Sequence, residues 1–307
     1  MTQNEPIDLD RLTTEARNPR STRLDGLDAL EIVHLINSED AEIAGAVARE
    51  AEHIARAIDT IAERLSRGGR LVYMGAGTSG RLGVLDAVEC PPTFNTDPDQ
   101  VIGLIAGGQG ALFRAIEGAE DSPQQGREDL KEINLDSRDV VVGITASGRT
   151  PYVLGALDYA RETGAATIGL ACNADSELPH RAALSIIPVV GPEILTGSTR
   201  MKAGTATKMV LNMLTTGAMV LMGKTWGNLM VDVRASNEKL VERSIRIVQT
   251  ITGASRTQAR ETLERCEGEV KLAVIVQKMS ISPAQARKHL QKAGGHLAAA
   301  LEQGQKE

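Results

Sequence analysis

The chain has 307 residues, a formal net charge of −6, and only one Trp, three Tyr and two Phe. The acidic balance argues against binding along a phosphate backbone, and so few rings offer no stacking platform for single-stranded nucleic acid or sugar polymers. Hydrophobic residues still make up 42% of the chain, so Ala, Leu, Ile, Val and Met must build the core, and a small polar ligand is the expected partner.

The opening MTQNEPIDLDRLTTE is polar and acidic, without the cationic start and apolar stretch of a signal peptide. The first forty residues predict an arm or a set of turns. Ala44, Val47, Ala51, Ile54, Ile58, Ile61 and Leu65 then recur at spacings of three and four. They form one apolar stripe on a long helix, facing the core or a second subunit, and Gly68-Gly69 stops it.

From Arg70 onward the pattern is strand, loop, helix, repeated. The predicted strands are Leu71–Met74, Val101–Ile105, Val140–Ile144, Thr167–Ala171 and Ser185–Val190. They are short, β-branched and continuously apolar, as expected when helices cover both faces of a sheet. Helices are predicted over Ser79–Val88, Ala111–Ala119, Pro123–Ile133 and Pro151–Thr163. This implies an α/β fold with a doubly wound parallel sheet, a flavodoxin- or Rossmann-like three-layer arrangement. Ligands then bind outside the carboxyl ends of the strands, so the loops after the first and third strands are the places to look.

Thr196–Met222 reads as a long helix. Its most apolar stretch, Met209–Met222, is interrupted by Asn212, Thr215, Thr216 and Gly217 and bracketed by Lys208 and Lys224, which predicts a buried helix and no membrane span. A further helix is expected over Ala235–Gln249. Ser255–Cys266, Glu269–Lys278 and Pro283–Lys292 read as short amphipathic helices, the last with Ser282 as cap and Pro283 in its first turn. The expected division is an arm over 1–40, a sheet domain over 41–249 and a small helical bundle over 250–307. Cys90, Cys172 and Cys266 are widely spaced and odd in number, which suits a reducing, cytoplasmic location. The five histidines show no paired ligand spacing, so no metal is expected.

Two loops carry the chemistry. Gly75-Ala76-Gly77-Thr78-Ser79-Gly80 lies between a strand and a helix. It satisfies the dinucleotide glycine pattern, but the second predicted strand runs into Ala106-Gly107-Gly108-Gln109, without the acid that would hold a ribose. No nucleotide cofactor is therefore expected. The hydroxyls of Thr78 and Ser79 suit an anion at a helix N-terminus. Thr145-Ala146-Ser147-Gly148-Arg149-Thr150-Pro151 repeats the design after the third strand, with Thr150 as the helix cap. Together the loops outline a phosphate and its sugar hydroxyls. Glu89, placed where Pro91-Pro92 should end the helix, would face the negative end of the helix dipole, which favours a general acid. Either Glu117 or Glu120 could complete a metal-free acid/base pair.

GAGTSG followed by SGRTP resembles the sugar isomerase (SIS) domain, which binds phosphosugars. The longer words GAGTSGRLGVLDAVECPPTF, GLIAGG, EGAEDS, VVVGITASGRTPYV, GSTRMKAGTATKMVLNMLTTG and GNLMVDVRASNEKL are similar to the N-acetylmuramic acid 6-phosphate etherase family over nearly the whole chain. That resemblance implies an SIS-type sheet domain followed by a small, UBA-like helical domain. It implies cleavage of the D-lactyl ether by lactate elimination and water addition, in peptidoglycan recycling and amino-sugar catabolism, without metal or cofactor. The acid/base glutamates would be Glu89 and Glu120. Thr78, Ser79, Ser147, Gly148 and Thr150 would hold the phosphosugar, with Glu193 and Ser198 bordering it, in a homodimer. An aldose–ketose phosphosugar isomerase and a phosphosugar-sensing regulator are the alternatives.

Overall fold

Residues 13–233 and 238–304 are described in the computed structural model. They divide into two units: residues up to Val88 with Asp99–Thr215, and Glu89–Pro98 with residues from Thr216 onward.

The first unit is built on five strands, β1 Leu71–Gly75, β2 Val101–Ile105, β3 Val140–Ile144, β4 Ala166–Leu170 and β5 Leu184–Ile186. All pair in parallel in the order β2-β1-β3-β4-β5, with Gly75 opposite Ile144 and Ile105. Every residue of β1 and β3 is buried, which is why their sequences are apolar without alternation. The chain reverses its direction of travel across the sheet between β1 and β3. That is the switch point at which open α/β sheets bind ligands. The fold class and the two loops singled out in the sequence thus coincide with the architecture.

Helices α3 (Ala51–Ser66), α4 (Gly77–Phe94), α5 (Pro123–Glu132) and α6 (Pro151–Thr163) belong to the crossovers and flanks. Helices α5 and α6 cross with backbones in contact. A Cβ on Gly126 would stand 2.1 Å from the Tyr152 carbonyl oxygen, and one on Gly155 2.2 Å from that of Pro123. At the open side of β5, the Glu50 carboxylate accepts the Ile187 N–H at 3.0 Å, which blunts the sheet edge.

The N-terminal region departs from the expected arm. Its first twelve residues lie outside the described ones, but Ala29–Asp40 forms helix α1, held by a capping box between Asp28 and Glu31. The single long helix expected next is two. Helix α2 spans Ile43–Ala48, and α3 begins after Glu50, whose carboxylate is committed to β5. Of the stripe, Val47, Ile54, Ile61 and Leu65 are buried in the core of their own chain, Ile58 is half-buried, and Ala44 and Ala51 are exposed. After the short α7 (Leu178–Arg181), helix α8 (Lys202–Leu221) starts six residues later than predicted, because Gly197 takes a φ of +76° and Ser198 N–H bonds the Leu195 carbonyl in a turn.

In the second unit, α4 continues through Pro91 and Pro92 to Phe94 instead of stopping before them. Each proline forfeits a ladder bond. The apolar face nevertheless persists, since Cys90 and Phe94, one turn apart, are both buried. A short antiparallel hairpin, β6 Thr225–Trp226 and β7 Leu229–Met230, turns at Gly227-Asn228. Helices α9 Glu238–Thr252, α10 Arg256–Arg265, α11 Val270–Met279, α12 Pro283–Lys292 and α13 Leu297–Gly304 follow. The expected start of α9 at Ala235 lies outside the described residues. Ser255 and Ser282 cap α10 and α12 in full capping boxes. Helix α11 is buried from Val270 to Val276 and forms the axis of this unit's core, against Val248, Leu263 and Ala300. No described helix is long and apolar enough to cross a membrane.

Candidate active site

Strand β1 reaches α4 through a turn that admits only glycines at two points. A Cβ on Gly75 would lie 2.6 Å from the Gly80 nitrogen, and one on Gly80 would lie 2.6 Å from the Gly75 oxygen. Strand end and helix start are therefore in backbone contact, and the first turn of α4, with Thr78 and Ser79 half-buried, stands directly above the sheet. Thr78 also meets the start of α8: a Cβ on Gly204 would come within 3.6 Å of Thr78 Cγ2.

The second loop leaves β3 one strand away. Parallel neighbours run about 4.8 Å apart, so the two loops share a root. Thr150 holds the N-cap position of α6, but its side chain makes no capping hydrogen bond. Its hydroxyl pairs with Thr145 Oγ1 at 2.7 Å, and Thr145 Oγ1 also accepts the Gly148 N–H at 3.3 Å. Ser147 Oγ accepts the Arg149 N–H. The loop is braced from behind by 172–177: Asn173 Nδ2 donates to the Ser147 carbonyl, and Glu177 N–H to that of Gly148. Gly148 has a φ of +77°, and a Cβ there would fall 2.1 Å from Ser176 Oγ and 2.9 Å from Ser176 Cα. Gly148→Ala is accordingly expected to lower stability by about 1–3 kcal/mol and to weaken inorganic phosphate binding. Unchanged melting temperature and phosphate affinity would show that the loop tolerates a side chain.

The predicted helix over Ala111–Ala119 is absent. The segment makes two 3₁₀ turns, Gln109–Leu112 and Ala119–Asp121. Gly107, Gly108 and Gly118 all take positive φ. In addition, Arg81 occupies carbonyls that a helix would need: its Nη2 donates to the Ala111 oxygen at 2.7 Å and its Nε to that of Leu112 at 3.1 Å. The result is a cavity of about 210 Å³ lined by Ala76, Gly77, Arg81, Glu117 and Glu120 among others. The structure therefore brings Ala76 and Gly77 of the β1–α4 loop and both candidate glutamates of this segment to one cavity, which Thr78, Ser79, Ser147 and Thr150 do not line, and does not choose between Glu117 and Glu120.

Other sequence-selected residues stand elsewhere. Glu193 is fully buried, and its two carboxylate oxygens accept the backbone N–H groups of Lys202 and Ala203, each at 2.9 Å. It caps α8, which commits one acceptor position of each oxygen to the backbone. Burial pushes its carboxyl above the usual range, against those two donors and the nearby Lys202 charge. Ser198 is half-buried in the turn before α8. Glu89 is exposed in α4, five residues before its end, so the helix-end premise used in reading it as an acid does not hold. Lys202 is 2% exposed and pairs with Glu39 at 2.7 Å. Arg81 had drawn no notice: an arginine on a helix next to a glycine loop gives no sign in sequence of the carbonyls it will find. Among the described residues no cluster of side chains has the make-up of a metal site.

Residues 53–161 match the glucokinase regulatory protein N-terminal SIS domain, 124–217 the SIS domain, and 227–296 the C-terminal lid domain of glucokinase regulatory protein. An N-acetylmuramic acid 6-phosphate etherase from Rhodopirellula baltica is 60% identical over 95% of this chain and 97% of its own. The chain belongs to the N-acetylmuramic acid 6-phosphate etherase family. A Streptomyces coelicolor member is 57% identical over 95% of this chain and 94% of its own. Among solved structures, a phosphoheptose isomerase from Neisseria gonorrhoeae aligns with a TM-score of 0.49 at 15% identity, covering 62% of this chain and 98% of its own. Etherase relatives thus extend across both units of the fold, and the Gly77–Glu120 cavity lies in the sheet-bearing unit that the SIS descriptions cover.

Proposed function

We propose that this protein is an N-acetylmuramic acid 6-phosphate etherase, cleaving the D-lactyl ether at C3 with water to give N-acetylglucosamine 6-phosphate and D-lactate. It would serve peptidoglycan recycling and amino-sugar catabolism in the cytoplasm. The observation that carries the reading is the 60% identity to an etherase along 95% of the chain. The chemistry suits the groups present. In the open-chain sugar the C1 aldehyde acidifies the C2 proton. The Glu120 carboxylate takes that proton while Glu89 protonates the departing lactyl oxygen, leaving a C2–C3 double bond. Glu89 then removes a proton from water as it adds at C3, and Glu120, whose proton has by then exchanged with solvent, protonates C2. Thr78, Ser79, Ser147 and Thr150 would hold the phosphate and sugar hydroxyls at the two helix starts.

Two carboxylates acting on adjacent carbons must approach each other closely. Along α4, which rises about 1.5 Å per residue, Glu89 stands roughly 18 Å from Gly77. A single phosphorylated sugar does not bridge that length. We therefore assign Glu89 to the site of a second copy, in a homodimer. Mixing inactive Glu89→Gln and Glu120→Gln chains and letting subunits exchange is expected to restore about a quarter of wild-type activity, because half the dimers then hold one intact site. No restoration on subunit exchange would place both glutamates in one chain.

Incubating the protein with N-acetylmuramic acid 6-phosphate and assaying D-lactate tests the activity itself. A ketose phosphate would identify an isomerase. The matches to regulatory-protein domains favour a sensor as the second reading, and that one requires phosphosugar binding without any product.

A further inference from the structure

The segment from Ala106 to Ser122 carries Glu117 and Glu120, and apart from Ala106, Ala111 and Ala119, which reach the core, it has little regular structure to hold it. Its regular structure is two 3₁₀ turns, its cavity wall is largely alanine and glycine, and Phe113 is 89% exposed. Among the described residues, the hydrogen bonds that side chains elsewhere donate to it both come from Arg81. Arg81 sits one helical turn after Gly77 on α4, so it is fixed to the same wall as the anion-binding loop. The carbonyls it takes, those of Ala111 and Leu112, close the first 3₁₀ turn and have no helical successor to donate to them.

We infer that Arg81 is a positioning residue for the elimination. Its guanidinium fork latches the segment to α4 and so sets where the Glu120 carboxylate stands relative to the loop at Gly77. A planar fork reaching two consecutive carbonyls is a task that the point charge of a lysine does not reproduce. The inference rests on the etherase reading for its kinetic consequence, but the latch itself is a property of the fold.

The test compares wild type, Arg81→Lys and Arg81→Ala. Displacing a catalytic group by about 1 Å costs on the order of 10²-fold, so kcat for lactate release is expected to fall by about that factor in Arg81→Ala, with KM changed by less than about threefold. Arg81→Lys should recover little of the loss, and added guanidinium ion should rescue Arg81→Ala specifically. Amide hydrogen exchange supplies the readout independent of turnover: residues 107–121 should exchange faster in both variants while the sheet amides do not. A kcat within about twofold of wild type, full recovery by lysine, or a rise in KM alone would overturn the assignment, the last by making Arg81 a substrate-binding residue. Unaltered exchange over 107–121 would overturn it too. If wild type releases no lactate, the etherase reading fails, and the exchange measurement still decides the latch.

Discussion

Glu120→Gln is expected to lower lactate release by about 10²- to 10⁴-fold while leaving phosphosugar binding nearly intact. The amide keeps the size and most of the hydrogen bonding of the carboxylate but cannot take a proton from C2. Because Glu120 lines the cavity together with Gly77, its loss should appear in kcat and spare KM. Glu117 lines the same cavity, which makes Glu117→Gln the necessary comparison. If Glu117→Gln loses the activity and Glu120→Gln keeps it, the base is Glu117 and the assignment of Glu120 falls.

The largest expected effect on stability is at Lys202. Its ammonium, 2% exposed, donates to Glu39 Oε2 at 2.7 Å and to the Pro192 carbonyl at 3.3 Å, and Asn18 Nδ2 donates to the same Glu39 oxygen at 2.8 Å. Arg20 adds a second cation at 2.5 Å from Glu39 Oε1. The network ties α1 to the first residue of α8, whose start borders Thr78. Lys202→Met leaves Glu39 buried without its main partner and should cost about 3–5 kcal/mol, read from chemical unfolding. A loss below about 1 kcal/mol would mean that Arg20 and Asn18 suffice.

The same network predicts a pH dependence. Burial would push the Glu39 carboxyl up, but hydrogen bonds from Lys202 and Asn18 and the charges of Lys202 and Arg20 outweigh it and hold the group below its ordinary 4.5. A lowered carboxyl binds fewer protons folded than unfolded, so its stabilisation is complete above that ordinary value and disappears as pH falls through the folded one. The stability difference between wild type and Glu39→Gln should therefore shrink as pH is lowered below about 4.5. Taking the difference removes the opposing influence of Glu193, whose carboxyl is raised. A difference that stays constant with pH would contradict the ion pair.

The sheet was readable because burial on both faces leaves its mark in consecutive apolar residues, and β2 and β3 begin and end where that pattern does. The two glycine- and hydroxyl-bearing loops after β1 and β3 were readable for a related reason: glycine at a backbone crossing and hydroxyls at a helix start are local demands. What failed depended on distant partners. The break between α2 and α3 coincides with the Glu50 carboxylate reaching the Ile187 N–H just past β5, and the missing helix at 111–119 with an arginine some thirty residues earlier taking its carbonyls. Lys202 and Glu39 lie 163 residues apart, and nothing local distinguishes either from a surface charge. Glu89 shows the same limit from the other side, since the prolines that promised a helix end were carried through by buried Cys90 and Phe94.

The central claim is that lactate leaves by elimination after a proton is taken from C2. Turnover of N-acetylmuramic acid 6-phosphate in D₂O, with the mass and C2 position of the sugar product read out, tests it directly. Product carrying one solvent deuterium at C2 is the expected result; lactate released alongside product that retains its original C2 hydrogen would contradict it.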